Sequence, residues 1–219
     1  MAFRAAQSNS SATSSVTVTA PTVSDGDILV AFASSWALGG AGNVAFPAGF
    51  TIWYTEVLET YGRLAVAWKR ASSESGDYEM TSTSAAEMYA IVATFSGRVA
   101  SGDPLDVGSD TAYVTDNTTV RGAGVTIATT GSDLIYCGIC APNDTPELAA
   151  PSGMTSRSSL DVSASWIGME LASLDNQGTG ATGDKDGTAD ASCTYKHAFL
   201  LALKPAAAAG NPYYYFAQQ

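Results

Sequence analysis

The only histidine, His197, stands in the alternating row Tyr195, His197, Phe199, Leu201 and Leu203. To act as a general base it needs a nucleophile on one side and an orienting carboxylate on the other. No G-x-S-x-G elbow accompanies it, so the row predicts a histidine at the margin of a core, hydrogen-bonded to backbone. Cys137-Gly138-Ile139-Cys140 has the C-x-x-C spacing of redox and zinc sites, which work where both sulfurs converge. These two lie in an apolar β run, where residues three apart point to opposite faces. Zinc would also need Cys193 and His197. Small buried thiols are the expectation, and three cysteines, an odd number, fit a reducing compartment better than a disulfide scaffold.

Oxygen ligands gather in Asp184-Lys185-Asp186-Gly187-Thr188-Ala189-Asp190, where Asp184, Asp186 and Asp190 faintly resemble a calcium loop. The third early ligand and the closing Glu of an EF-hand are missing. No cofactor is expected: a solvated acidic turn is the plainer reading, with calcium at Asp184, Asp186 and Asp190 the alternative. Glycosidase chemistry needs two facing carboxylates, and nothing among 21 acidic residues singles out a pair. Trp36, in the glycine-rich stretch 34–43, is the best aromatic for a glycan platform. Trp53, Trp68 and Trp166 sit in strand patterns and read as packing residues. No catalytic constellation emerges, and the chain reads as a non-enzyme.

Composition says what must position these residues. Of 219 residues, 46% are hydrophobic and only 14% charged, with abundant Gly, Ser, Thr and Ala. Helix formers never gather into a stretch with a 3.6-residue period. The net charge of −11, with ten basic residues scattered singly apart from Lys69-Arg70, argues against nucleic acid as a partner. No run reaches the roughly 18 to 20 apolar residues that span a bilayer. The first eight residues lack the apolar centre of a signal peptide, so manufacture and use without export is expected.

The organising stretch is Gly26-Asp27-Ile28-Leu29-Val30-Ala31-Phe32, a turn followed by an unbroken apolar run that suits a strand covered on both faces. A weaker copy returns as Ser132-Asp133-Leu134-Ile135-Tyr136-Cys137. Pro47-Ala48-Gly49-Phe50-Thr51 is followed by the row Phe50, Ile52, Tyr54, and returns as Pro151-Ser152-Gly153-Met154-Thr155. Leu64 to Trp68 is matched by Trp166 to Met169, and Tyr89 to Phe95 by Ala198 to Leu203. Strand signals at roughly eight- to twelve-residue spacing read as a sandwich or jelly roll. The fold predicted is all-β, a jelly-roll-like β-sandwich built from two sequence-related halves. Residues 1–15 are an N-terminal arm, 16–97 the first unit, 98–118 a connection, 119–205 the second unit and 206–219 a tail, with 16–205 closing as one sandwich. Tyr213, Tyr214, Tyr215 and Phe216 in the tail, and Phe3 and Arg4 in the arm, are the expected interface residues, since a run of exposed aromatics asks for a docking surface.

The order G-D-I-L-V-A-F, P-A-G-F-T, L-A-V-A-W-K and A-I-V-A-T-F-S-G resembles a β-sandwich pattern of tailed-bacteriophage virion proteins, over residues 16–97 and more faintly over 120–205. The resemblance implies a virion component, foremost a capsid decoration (cement) protein, made in the host cytoplasm. Its partners would be the major capsid protein or another virion protein, and copies of itself in a homo-oligomer. A glycan-binding adhesin or a tail or head fibre domain is the alternative. The shared motifs are structural and carry no catalytic residues.

Overall fold

The computed structural model describes residues 3–37, 39–58, 61–84, 87–113, 117–141, 147–162 and 167–207, and over these the chain is all-β. The first unit comprises β1 (Phe3–Ser11), β2 (Ser15–Val18), β3 (Ile28–Trp36), β4 (Val44–Ala45), β5 (Thr51–Leu58), β6 (Gly62–Arg70), β7 (Tyr78–Ser82) and β8 (Glu87–Phe95). The second comprises β9 (Leu105–Tyr113), β10 (Asn117–Gly122), β11 (Thr126–Ile127), β12 (Ser132–Ala141), β13 (Leu148–Ala149), β14 (Thr155–Val162), β15 (Ile167–Gln177), β16 (Gly180–Ala181), β17 (Lys185–Cys193) and β18 (Tyr195–Leu203).

Each unit has a five-stranded antiparallel sheet, ordered β1-β8-β3-β6-β5 in the first and β9-β18-β12-β15-β14 in the second, and a three-stranded sheet, β2-β7-β4 or β10-β17-β13. The strand orders of the two units correspond position by position. A two-stranded pair, β11-β16, is an addition of the second unit.

The stretch expected as one sandwich, 16–205, has four layers. One face of each five-stranded sheet meets its own three-stranded sheet. Val16, Leu29, Ala31, Met80 and Val92 fill that space in the first unit, and Val120, Leu134, Tyr136, Leu148 and Leu200 in the second. The other faces meet each other through a central core that includes Ile28, Val30, Phe32, Val66 and Ile91 against Ile135, Ile139, Met169, Phe199 and Leu201. This explains the unbroken apolar runs. Strands β3, β8, β12 and β18 are buried along nearly their whole length because both faces are covered, so no regular row of solvent-facing polar residues alternates with the apolar ones.

Four sequence expectations change. Residues 3–11 of the arm are β1, an edge strand paired to β8. The connection contains β9, paired to β18. The row Phe50, Ile52, Tyr54 does not keep one face, because a bulge between Ile52 and Tyr54 inserts an extra residue. Tyr54 turns to the central core, and Ile52 is left 46% exposed. Finally, the repeated aspartates are out of step by one residue. Ile28 is opposite the last residue of β8, Phe95, whereas Asp133 itself is opposite the last residue of β18, Leu203. Each aspartate still recruits an arginine: Arg4 Nε lies 2.6 Å from Asp27, and Arg98 Nη2 lies 3.2 Å from the fully buried Asp133.

Candidate functional site

The sandwich brings together polar groups where β5, the edge of one large sheet, lies over β9 and β18 of the other. Tyr54 settles there because Gly108 on β9 has no side chain: a Cβ at that position would stand 2.7 Å from the Tyr54 hydroxyl oxygen. The Tyr54 ring packs on Phe199 at 5.6 Å between centroids. Asp110 is the strand partner of Phe199 and shares its face. Glu56, two residues beyond Tyr54 on the same side of β5, meets Asp110 in a carboxyl–carboxylate hydrogen bond. Burial, then that hydrogen bond and the charge of Asp110, raise the Glu56 carboxyl above its ordinary value, while the Val57 amide pulls the other way. The Tyr54 phenol is raised as well, by burial first and then by Asp110 and Asp103. Behind them lies His197, 1% exposed, its ring 4.6 Å from that of Phe199.

His197 belongs to the core margin, as its row predicted, but the expected backbone hydrogen bond is missing: neither ring nitrogen has a partner. Burial pushes its pKa down to about 4, against a smaller upward pull from Asp110, so the ring is neutral at pH 7. One step along β18, Tyr195 closes the end of the central core with Trp36 and Tyr61, ring centroids 5.7 to 6.0 Å apart. Trp36 is the last residue of β3, paired with Gly62 and Glu87, and not part of an open loop. All three rings are half-buried.

Two carboxyls thus stand at the seam of β5 with β9, and three aromatic rings close the end of the central core. What the carboxyl pair offers is hydrogen-bond acceptors at a seam between units. Among the described residues, no group of three or more His, Cys, Asp or Glu side chains could hold a metal ion.

The other predicted residues are dispersed. Asp184 and Asp186 are both engaged by Arg121, at 3.4 and 2.8 Å, and Asp184 also accepts the Gly124 amide. Asp190 is exposed further along β17. Phe3 packs edge-on against Phe95 with Arg157 over its ring at 4.5 Å, and Arg4 is held by Asp27, so both are engaged within the fold. Trp53 and Trp68 stack on each other at 5.9 Å. Cys137 faces the central core, while Cys140 and Cys193 face the outer core of the second unit, and none of the three is in a disulfide. Tyr213, Tyr214, Tyr215, Phe216 and Trp166 lie outside the described residues.

Sequence reading missed Glu56, Asp110, Tyr61 and Tyr195 as a group. They come from four strands or turns of both units, and no local spacing relates them. Comparison with family models, with curated proteins and with solved structures finds no match to this chain.

Proposed function

We propose that this chain is a structural component of a tailed-phage virion, a capsid decoration protein that works through protein–protein contacts. The observation that carries this reading is the β5 edge. A sheet edge offers unpaired N–H and C=O groups, and proteins that stay apart guard such edges with charge. The other edges of the large sheets carry exposed charge: Arg4 on β1, Asp110 on β9 and Asp161 on β14. On β5 the single charged residue, Glu56, is turned to Asp110, while Ile52 and Val57 stand 46% and 52% exposed. The bulge places both on one side, because Ile52 pairs with Ala67 and Val57 with Arg63, alternate positions of β6. An edge of this kind suits strand addition by a shell protein or by another copy of the chain. The corresponding strand orders further suggest descent from one duplicated unit.

Light scattering on the purified chain, with cosedimentation against phage shells lacking it, tests the reading. Ile52→Lys with Val57→Lys, and separately removal of residues 206–219, should reduce assembly or attachment. If both variants assemble and bind as the native chain does, the reading fails. A second reading, glycan binding, is favoured by the half-exposed cluster of Trp36, Tyr61 and Tyr195, since sugars stack on aromatic rings. Trp36→Ala on a glycan array separates the two.

A further inference from the structure

We propose that Cys140 and Cys193 form a redox-modification site, a dithiol that a small-molecule disulfide converts into a disulfide joining the two sheets of the second unit. The geometry closes on itself. Cys140 is the strand partner of Lys196 across β12 and β18. Lys196 is fully buried and donates from Nζ to the Asn117 carbonyl oxygen at 3.0 Å. Asn117 is in turn the strand partner of Cys193 across β10 and β17. The ring is completed by the two thiols, which hydrogen-bond to each other within one apolar cluster. Cys193 also donates to the Ala191 carbonyl at 3.4 Å.

Nothing in the fold requires such a pair. At the matching end of β3 the first unit has Ser35 opposite Met88, where the second has Cys140 opposite Lys196. Cys137, three residues away, faces the central core and is out of reach of both.

The exchange proceeds in two steps. A thiolate of the pair attacks one sulfur of oxidised glutathione, forming a mixed disulfide and releasing one glutathione thiolate. The second cysteine, on losing its proton, attacks the protein sulfur of that mixed disulfide and releases the other glutathione. One protein S–S bond forms, one glutathione S–S bond breaks, and the two thiol protons end on the two glutathiones. In the closed fold the hydrogen bond with Cys193, followed by burial, holds Cys140 as the thiol. The reaction therefore needs transient opening where β17 ends, which frees the thiols to lose their protons.

The test exposes the full chain to oxidised glutathione in subdenaturing urea, then removes the urea and the oxidant. The expected product has lost two hydrogens, yields a single linked peptide joining Cys140 to Cys193, leaves Cys137 alkylatable only on unfolding, and melts higher than the reduced chain. Cys137→Ser should oxidise in the same way, and Cys193→Ser should form no internal bridge. A bridge that includes Cys137, or glutathione adducts without closure, or three free thiols after treatment, overturns the proposal. Circular dichroism of each variant confirms that the chain compared is folded.

Discussion

Glu170→Gln is the sharpest test of the packing described above. Glu170 lies on β15, faces the interior of the second unit, and is 1% exposed with Oε1 unpartnered. Burial pushes its pKa from 4.5 up to about 7, with a smaller opposing effect from the Ser156 hydroxyl. Because the folded value is raised, the protonated carboxyl is the form the fold tolerates. The stability linked to it is fully present below the unfolded value of 4.5 and is lost as pH rises through 7. At roughly 1.4 kcal/mol per pH unit, the difference amounts to about 3 kcal/mol. Urea unfolding at intervals from pH 4.5 to 8.5 should show native stability falling by this amount relative to Glu170→Gln, whose side chain does not titrate. A constant offset between the two curves would reflect the buried amide and not the carboxyl, so the slope is the readout. Parallel curves would refute the placement of Glu170 in a dry interior.

His197→Gln should act at the other end of the scale. Since the folded pKa of about 4 lies below the ordinary 6.5, native stability falls as pH drops from 6.5 to 4, by about 3 kcal/mol, and the variant should lack that loss in acid unfolding curves. Arg98→Met strands the buried carboxylate of Asp133 and should cost about 3 to 5 kcal/mol at pH 7 in denaturant unfolding; adding Asp133→Asn should recover much of it. Gly108→Val should drive Tyr54 off β9 and loosen the seam between units, read as faster hydrogen exchange in β5 and β9 with little change in β14. Phe32→Ala empties a central position touching Phe199 and should destabilise by about 3 to 5 kcal/mol in a single transition that reports both units together, as calorimetry would show.

The parts of this fold legible in the sequence are those written in consecutive residues. The apolar runs at Ile28 to Phe32, Tyr89 to Phe95 and Ala198 to Leu203 announce strands covered on both faces, and the alternation of Leu64, Val66 and Trp68 with Ala65 and Ala67 matches the two faces of β6. Cys137 and Cys140 divide between opposite cores, as strand geometry requires. What stayed hidden depends on register. One extra residue at the β5 bulge reverses Ile52 and turns Tyr54 inward. A one-residue offset separates Asp27 from Asp133 although their local sequences match. The meeting of Glu56 with Asp110, or of Trp36 with Tyr61 and Tyr195, is decided by how two sheets stack, which no local pattern encodes. The polar start of the chain reads as an arm because its strand is an edge, with Arg4, Gln7 and Asn9 open to solvent.

Hydrogen exchange of the chain free and bound to phage shells tests the proposed role most directly. The proposed role predicts that the outward amides of β5, those not bonded to β6, exchange fast in the free chain and slowly on the particle, while those of β14, the edge at the opposite end of the stacked sheets, are unchanged. Protection confined to β14, or β5 amides that exchange equally fast in both states, would contradict it.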